Sequence, residues 1–193
     1  MSFSGEVKEE LSRQIPEARH CQIAEQAAIL GLCGQIREES QGQYSIKLQT
    51  ENVYVARKYF TLLRKTFNIE AELAVRQNQR ENTYTISVND PEQVRRILQV
   101  SRLMPGVAKD TFIHSALGQR RCCKRAFLRG AFLSSGSISD PNKFYHFEVV
   151  CPSLEKAEQI REVIGCFEME ARIVSRKNHF VVYVKEGAQI VEL

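Results

Sequence analysis

Apolar residues recur along the chain with two periods, every third or fourth position in some stretches and every second position in others, predicting amphipathic helices alternating with half-buried strands. The first helix is expected over 3–14, with Ser4 as its N-cap, Val7 and Leu11 four apart, and Pro16 ending it. A helix over 22–33 leads into a strand near 34–39, and the Gln41-Gly42 turn leads to Tyr44–Thr50, which alternates apolar and polar. Helix 52–67 carries Val55, Tyr59, Leu62, Leu63 and Phe67 on one stripe. Strands at 69–76 and 83–88 flank the polar turn 77–82, and Asn89-Asp90-Pro91 opens a short helix to about residue 100. The order then recurs: helix 121–134, strand 136–139, a turn at Asp140-Pro141-Asn142, strand 144–151 and a helix from Ser153 to about Phe167. Strands near 168–175 and 179–185 follow, joined by Arg176-Lys177-Asn178, and a short helix starts at about Ala188.

The recurrence extends to individual residues. Residues 24–36 and 126–138 are both apolar helices rich in small side chains, and each stops at a glycine, Gly34 or Gly136, that leads into a strand. Ala24 and Ala28 match Ala126 and Gly130, each pair four apart on one helix face, so two helix backbones can approach closely. The expected fold class is α+β, with two pseudo-symmetric αββαββ(α) repeats in one pseudo-twofold molecule. Its parts are a helix and lead-in over 1–20, a first repeat over 21–100, a connector over 101–120 and a second repeat over 121–193.

Composition narrows the class. A chain of 193 residues with 43% apolar and 26% charged side chains fits an ordinary globular protein. No apolar run approaches the roughly 20 residues that span a bilayer, and the N-terminus is too acidic and polar for a signal peptide, so a cytoplasmic protein with no membrane partner is expected. The six cysteines show no Cys-x-x-Cys spacing and are expected to be buried thiols. The adjacent pairs His20-Cys21 and Cys122-Cys123 look a poor geometry for one tetrahedral site, so no metal and no cofactor is expected. Acids and bases balance at 13 each over residues 1–100, so the net charge of +4 resides entirely in 101–193. Arg120, Arg121, Lys124, Arg125 and Arg129 form an acid-free basic cluster at the start of the second repeated helix.

The stretch Leu128–Gly136 resembles the nine-residue LAGLIDADG motif of homing endonucleases, keeping the leading Leu and both glycines, and 26–34 resembles it more weakly. In that family the last acidic residue of each motif helix holds a catalytic divalent metal between the helices. Here the aligned positions are Cys33 and Ser135, and the earlier acidic positions are Gly31 and Leu133. Hard cations need oxygen donors, chiefly carboxylates, so the resemblance implies a degenerate fold without nuclease activity. Three further stretches, Ser2–Leu11, Arg121–Phe132 through Asp140-Pro141, and Val181–Gly187, resemble the N-terminal part of the WhiA family of bacterial regulators. That resemblance implies control of sporulation and cell-division genes, a nucleoid-associated location, and double-stranded DNA as partner. A further partner from the transcription machinery, such as a sigma factor, would fit the same role. Family members carry a C-terminal helix-turn-helix domain; none follows Leu193, so the chain is expected to be either the N-terminal part of a longer protein, the favoured reading, or a natural short form.

LAGLIDADG sheets straddle duplex DNA, which directs attention to outward strand residues and hairpin tips. Lys47 is expected to face outward with Ser45 and Gln49, a surface that suits phosphates or plain water. Arg76 and Arg80 flank one tip, and Arg172, Arg176 and Lys177 flank the other; both sets are candidate phosphate contacts. The patch at Arg120, Arg121, Lys124 and Arg125 has two readings: contact with DNA or a partner, or arginine stems covering apolar surface. The rival to DNA binding is a protein-interaction scaffold with no DNA affinity of its own.

Overall fold

Two four-stranded antiparallel sheets with the same strand order organise the chain in a computed structural model that describes residues 2–40, 42–78, 81–106 and 114–192. The first unit contains α2 (Arg19–Cys33), β1 (Gly34–Ser40), β2 (Gln43–Thr50), α3 (Val53–Phe67), β3 (Glu72–Gln77), β4 (Asn82–Val88) and α4 (Pro91–Ser101), following the leading α1 (Phe3–Arg13). The second contains α5 (Arg121–Ser135), β5 (Gly136–Ile138), β6 (Phe147–Cys151), α6 (Leu154–Gly165), β7 (Arg172–Arg176), β8 (His179–Val184) and α7 (Gly187–Glu192). The sheets run β1-β2-β4-β3 and β5-β6-β8-β7. This is the mixed, duplicated fold expected from the sequence.

Several boundaries differ, each for a local reason. Ser2 rather than Ser4 caps α1: its Oγ accepts the Gly5 amide at 3.2 Å, while the Ser4 Oγ accepts the Ile138 amide at 3.3 Å and ties α1 to the second unit. Strand β3 begins at Glu72, not 69, because Asn68 closes α3 in the left-handed region at φ 55° and the Ile69 amide returns to the Leu63 carbonyl. Strand β6 begins at Phe147 because Asp140 first organises a turn, its Oδ1 accepting the Asn142 amide at 2.9 Å.

The motif helices α2 and α5 lie back to back at the centre. Ala24, Ala28 and Ala126 are buried, and a Cβ at Gly130 would sit inside the Glu25 carbonyl oxygen and 3.1 Å from the Ala28 Cβ. Only glycine permits that approach. Each helix also serves the other's core: Leu133 of α5 packs with the first sheet, while Ile23, Ala24 and Ala27 of α2 pack with the second. A buried ion cluster crosses the same seam. Glu25 accepts from Lys58 at 2.8 Å and from Arg129 at 2.9 and 3.0 Å, with the Lys58 and Glu25 side chains wholly buried. Lys58 also donates to the Leu11 carbonyl at 3.2 Å and to the Gln14 carbonyl, holding the end of α1. Burial lowers the Lys58 pKa, and the Glu25 carboxylate opposes the shift. Among the described residues, no helix is long and apolar enough to cross a membrane.

Candidate nucleic-acid interface

Strand register decides which side chains share a face, because residues directly opposite in antiparallel strands point the same way. In the first sheet Gln35, Lys47, Ser87 and Glu72 form one row across all four strands. Arg37 pairs with Ser45, Gln49 with Thr85 and Ala74, and Thr83 with Arg76. All of these lie on the face away from the core residues Ile46, Leu48, Ile86 and Val88. That face therefore carries Arg37, Lys47 and Arg76, together with the acids Glu39 and Glu72, among amides and hydroxyls. Four strands span about 14 Å, comparable with a B-DNA major groove about 12 Å wide. Ser45, expected outward, does point to this face but is covered by Glu39, whose Oε1 accepts its hydroxyl at 2.6 Å. Arg37 was not among the sequence candidates; its alternation with the inward Ile36 is the signal that marks it.

The equivalent face of the second sheet is different. Its rows are Ser137, Glu148, Tyr183 and Arg172, then Val150, Val181 and Val174. Glu148 accepts from Ser137 at 3.3 Å and pairs with His146 at 2.9 Å, and His146 stacks on Tyr183 with centroids 6.3 Å apart. A third row pairs Arg176 with His179, so this face sets three valines, of which Val181 is buried, between polar rows that hold one acid, Glu148. At its tip Arg176 and Lys177 are exposed, while Arg172 is engaged by Glu170 at 3.3 Å. Arg80, at the other tip, lies outside the described residues.

The basic patch at the start of α5 is not part of either face. It stands at the opposite end of α5 from β5, a helix length of about 22 Å away. Arg121 lies over the Phe167 ring at 5.2 Å, Lys124 contacts the Cys166 sulfur at 3.2 Å, and Arg120 and Arg125 are exposed.

Cys33 and Ser135, expected from the sequence to align with metal-binding acids, stand at the ends of the two motif helices where they enter their sheets. The Cys33 thiol donates back to the Ile29 carbonyl at 3.2 Å, and burial pushes its pKa up to about 11. The Ser135 Oγ is buried and has no hydrogen-bond partner among the described residues. Lys8 of α1 reaches this end, interacting electrostatically with Cys33 and lying 5.5 Å from the Phe132 ring centroid; burial lowers its pKa. A neutral thiol, a hydroxyl and an ammonium do not fit a divalent cation, which wants carboxylates.

At the other end of the same helices the sequence reading needs correction. The pairs His20-Cys21 and Cys122-Cys123, expected to be too awkward to share a site, come together with all four donor atoms within 4.8 Å of one another. Adjacent residues on one helix diverge, but here two helix starts converge because the small residues behind them let the axes close.

Comparison with known proteins agrees with the architecture. The model of the WhiA N-terminal LAGLIDADG-like domain matches residues 19–104, and that of the WhiA LAGLIDADG-like domain matches 124–193. The probable cell division protein WhiA of Lachnoclostridium phytofermentans is 48% identical over 207 residues, covering 100% of this chain and 64% of that protein. That of Alkaliphilus oremlandii is 42% identical, covering 100% and 63%. The chain thus spans just under two thirds of the length of these relatives. The crystal structure of full-length DUF199/WhiA from Thermatoga maritima superposes with a TM-score of 0.74 at 22% identity, covering 99% of this chain and 60% of that one. The homing endonuclease I-DmoI, in complex with DNA and calcium, shares the fold at a TM-score of 0.62 and 8% identity, covering 91% and 88%. With both units matched and relatives this similar along its whole length, the chain belongs to the WhiA family.

Proposed function

We propose that this chain is a non-catalytic DNA-binding module of a WhiA-type regulator of cell division and sporulation genes, acting in the nucleoid alongside a helix-turn-helix domain. The observation that carries the reading is the outward face of the first sheet, where Arg37, Lys47 and Arg76 are spaced across a groove's width among hydrogen-bonding side chains. These cations would hold phosphates and set the duplex in register, while Gln35, Gln49, Thr83, Thr85 and Ser87 meet base edges or water. The exposed tip cations Arg176 and Lys177 extend the grip along the backbone, and Arg80 is proposed to do the same at the first tip. Cleavage is not part of the function: Lys8 beside Cys33 places positive charge where a nuclease concentrates negative charge.

A second reading draws on the second sheet. Its half-buried Val150 and Val174, and the exposed Phe144 and Tyr145 ahead of β6, suit a protein partner from the transcription machinery, such as a sigma factor, better than a phosphate backbone. Fluorescence anisotropy with labelled duplex at low and moderate salt separates the two. The DNA-binding reading expects micromolar affinity that weakens steeply with salt, and no magnesium-dependent cleavage. Flat curves at both salts would leave this chain as a docking scaffold.

A further inference from the structure

We propose that His20, Cys21, Cys122 and Cys123 form a structural zinc site that staples the N-terminal ends of the two motif helices across the pseudo-twofold axis. The four residues are symmetry equivalents: His20 and Cys21 stand second and third in α2, and Cys122 and Cys123 second and third in α5. Their geometry is close to what the ion requires. Zinc bound to sulfur at about 2.3 Å and to imidazole nitrogen at about 2.0 Å in a tetrahedron needs donors about 3.5–3.8 Å apart. The His20 Nδ1 lies 3.3 Å from the Cys21 Sγ, 3.3 Å from the Cys123 Sγ and 4.0 Å from the Cys122 Sγ. These nitrogen–sulfur distances are within about half an ångström of the zinc values, and all four donors lie within 4.8 Å of one another. One nitrogen and three sulfurs is a structural donor set for zinc, and it is too soft for magnesium or calcium.

The surroundings supply what such a centre needs. Three thiolates and one dication leave a net charge of −1. Both helices begin without a side-chain cap and without an acid in the first turn, so two positive helix ends converge on the cluster uncompensated. Arg121, Arg125 and Arg129 line the same cleft as Cys21 and Cys122. A cationic run at a helix N-terminus is unfavourable by itself; around an anionic zinc–thiolate centre it becomes counter-charge. This gives the basic patch at the start of α5 a role distinct from DNA contact. Exposure is graded for binding and retention: Cys21 and Cys123 are buried, His20 is half-buried and Cys122 is exposed, giving an ion a path in. No bond other than metal–ligand bonds forms; three thiol protons leave as the ion enters.

The test is metal analysis of the chain purified under reducing conditions, followed by cobalt titration of the metal-free protein, with circular dichroism reporting the fold of every sample. The site predicts about one zinc per chain and the intense visible absorption of tetrahedral cobalt with its thiolate charge-transfer band. Cys122→Ser, at an exposed position, and His20→Ala are each expected to weaken cobalt binding by more than about 100-fold, beyond what outer-shell changes cause. Cys166→Ser, at an exposed thiol outside the cluster, should bind as the unaltered chain does. Chelation should lower the thermal midpoint of the unaltered chain and leave that of Cys122→Ser unchanged. A folded, fully reduced chain that takes up neither zinc nor cobalt would overturn the proposal. So would a cobalt spectrum that survives both ligand substitutions, or isolation of these cysteines as a disulfide without metal.

Discussion

Cys33 and Ser135 occupy equivalent positions at the ends of the motif helices, yet each is explained by different physics. The Ser135 hydroxyl is buried without a hydrogen-bond partner among the described residues, a situation that costs about 1–3 kcal/mol relative to a satisfied group. Ser135→Ala is therefore expected to be neutral or to stabilise the chain by up to about 1 kcal/mol in urea unfolding, and a clear loss would show that the hydroxyl is used. The buried thiols Cys33 and Cys151 both have pKa values raised by burial from 9.0 to about 11. Between those values the unfolded chain releases protons that the folded chain keeps, so stability should be full below about pH 9 and fall as pH rises towards 11. Urea midpoints measured across that window check the sign, and Cys151→Ala should flatten the decline.

At the scale of the elements, the seam between α2 and α5 sets everything else. A Cβ at position 130 would collide with the Glu25 carbonyl, which belongs to a helix backbone and cannot rotate away. Gly130→Ala should cost about 1–3 kcal/mol by calorimetry, the range of overpacked cores; an unchanged midpoint would mean the helices separate easily. The seam was legible in the sequence because small residues recur at the same spacing in both copies, and helix and strand periods located nearly every element. What escaped was anything set by contacts between elements rather than within one. The convergence of His20-Cys21 with Cys122-Cys123 depends on two helix starts 102 residues apart meeting in space, which linear spacing hides. Arg37 carries a signal in its alternation with Ile36, but the pairing of β1 with β2 is what fixes the face it takes. The contacts of Arg121 with Phe167 and Lys124 with Cys166 likewise arise only after α6 is placed.

For the whole molecule, shared cores and the Glu25–Lys58–Arg129 cluster join the two units, so they are expected to unfold as one cooperative body. Removing one charge from a buried cluster leaves the others uncompensated, a loss of about 3–5 kcal/mol. Glu25→Gln should lower stability by that order, with tyrosine fluorescence and circular dichroism still reporting a single coincident transition. Two separated transitions would show that the units fold independently. At this scale the pseudo-symmetry of the backbone is matched by asymmetry of surface: the first sheet's face is polar except at Ala74, while the second sets a row of valines between its polar rows.

The central claim, that the first sheet's outward face holds duplex DNA, is tested most directly by salt-dependent anisotropy of two variants beside the unaltered chain. One is Arg37→Ala/Lys47→Ala/Arg76→Ala, and the other is Arg120→Ala/Arg125→Ala at the far end of α5. The account predicts that the first variant lowers affinity and reduces the slope of log affinity against log salt by about 3, one for each lost phosphate contact, while the second leaves that slope unchanged. An unchanged slope in the first variant with a reduced slope in the second would contradict the account and move the DNA to the other end of the molecule.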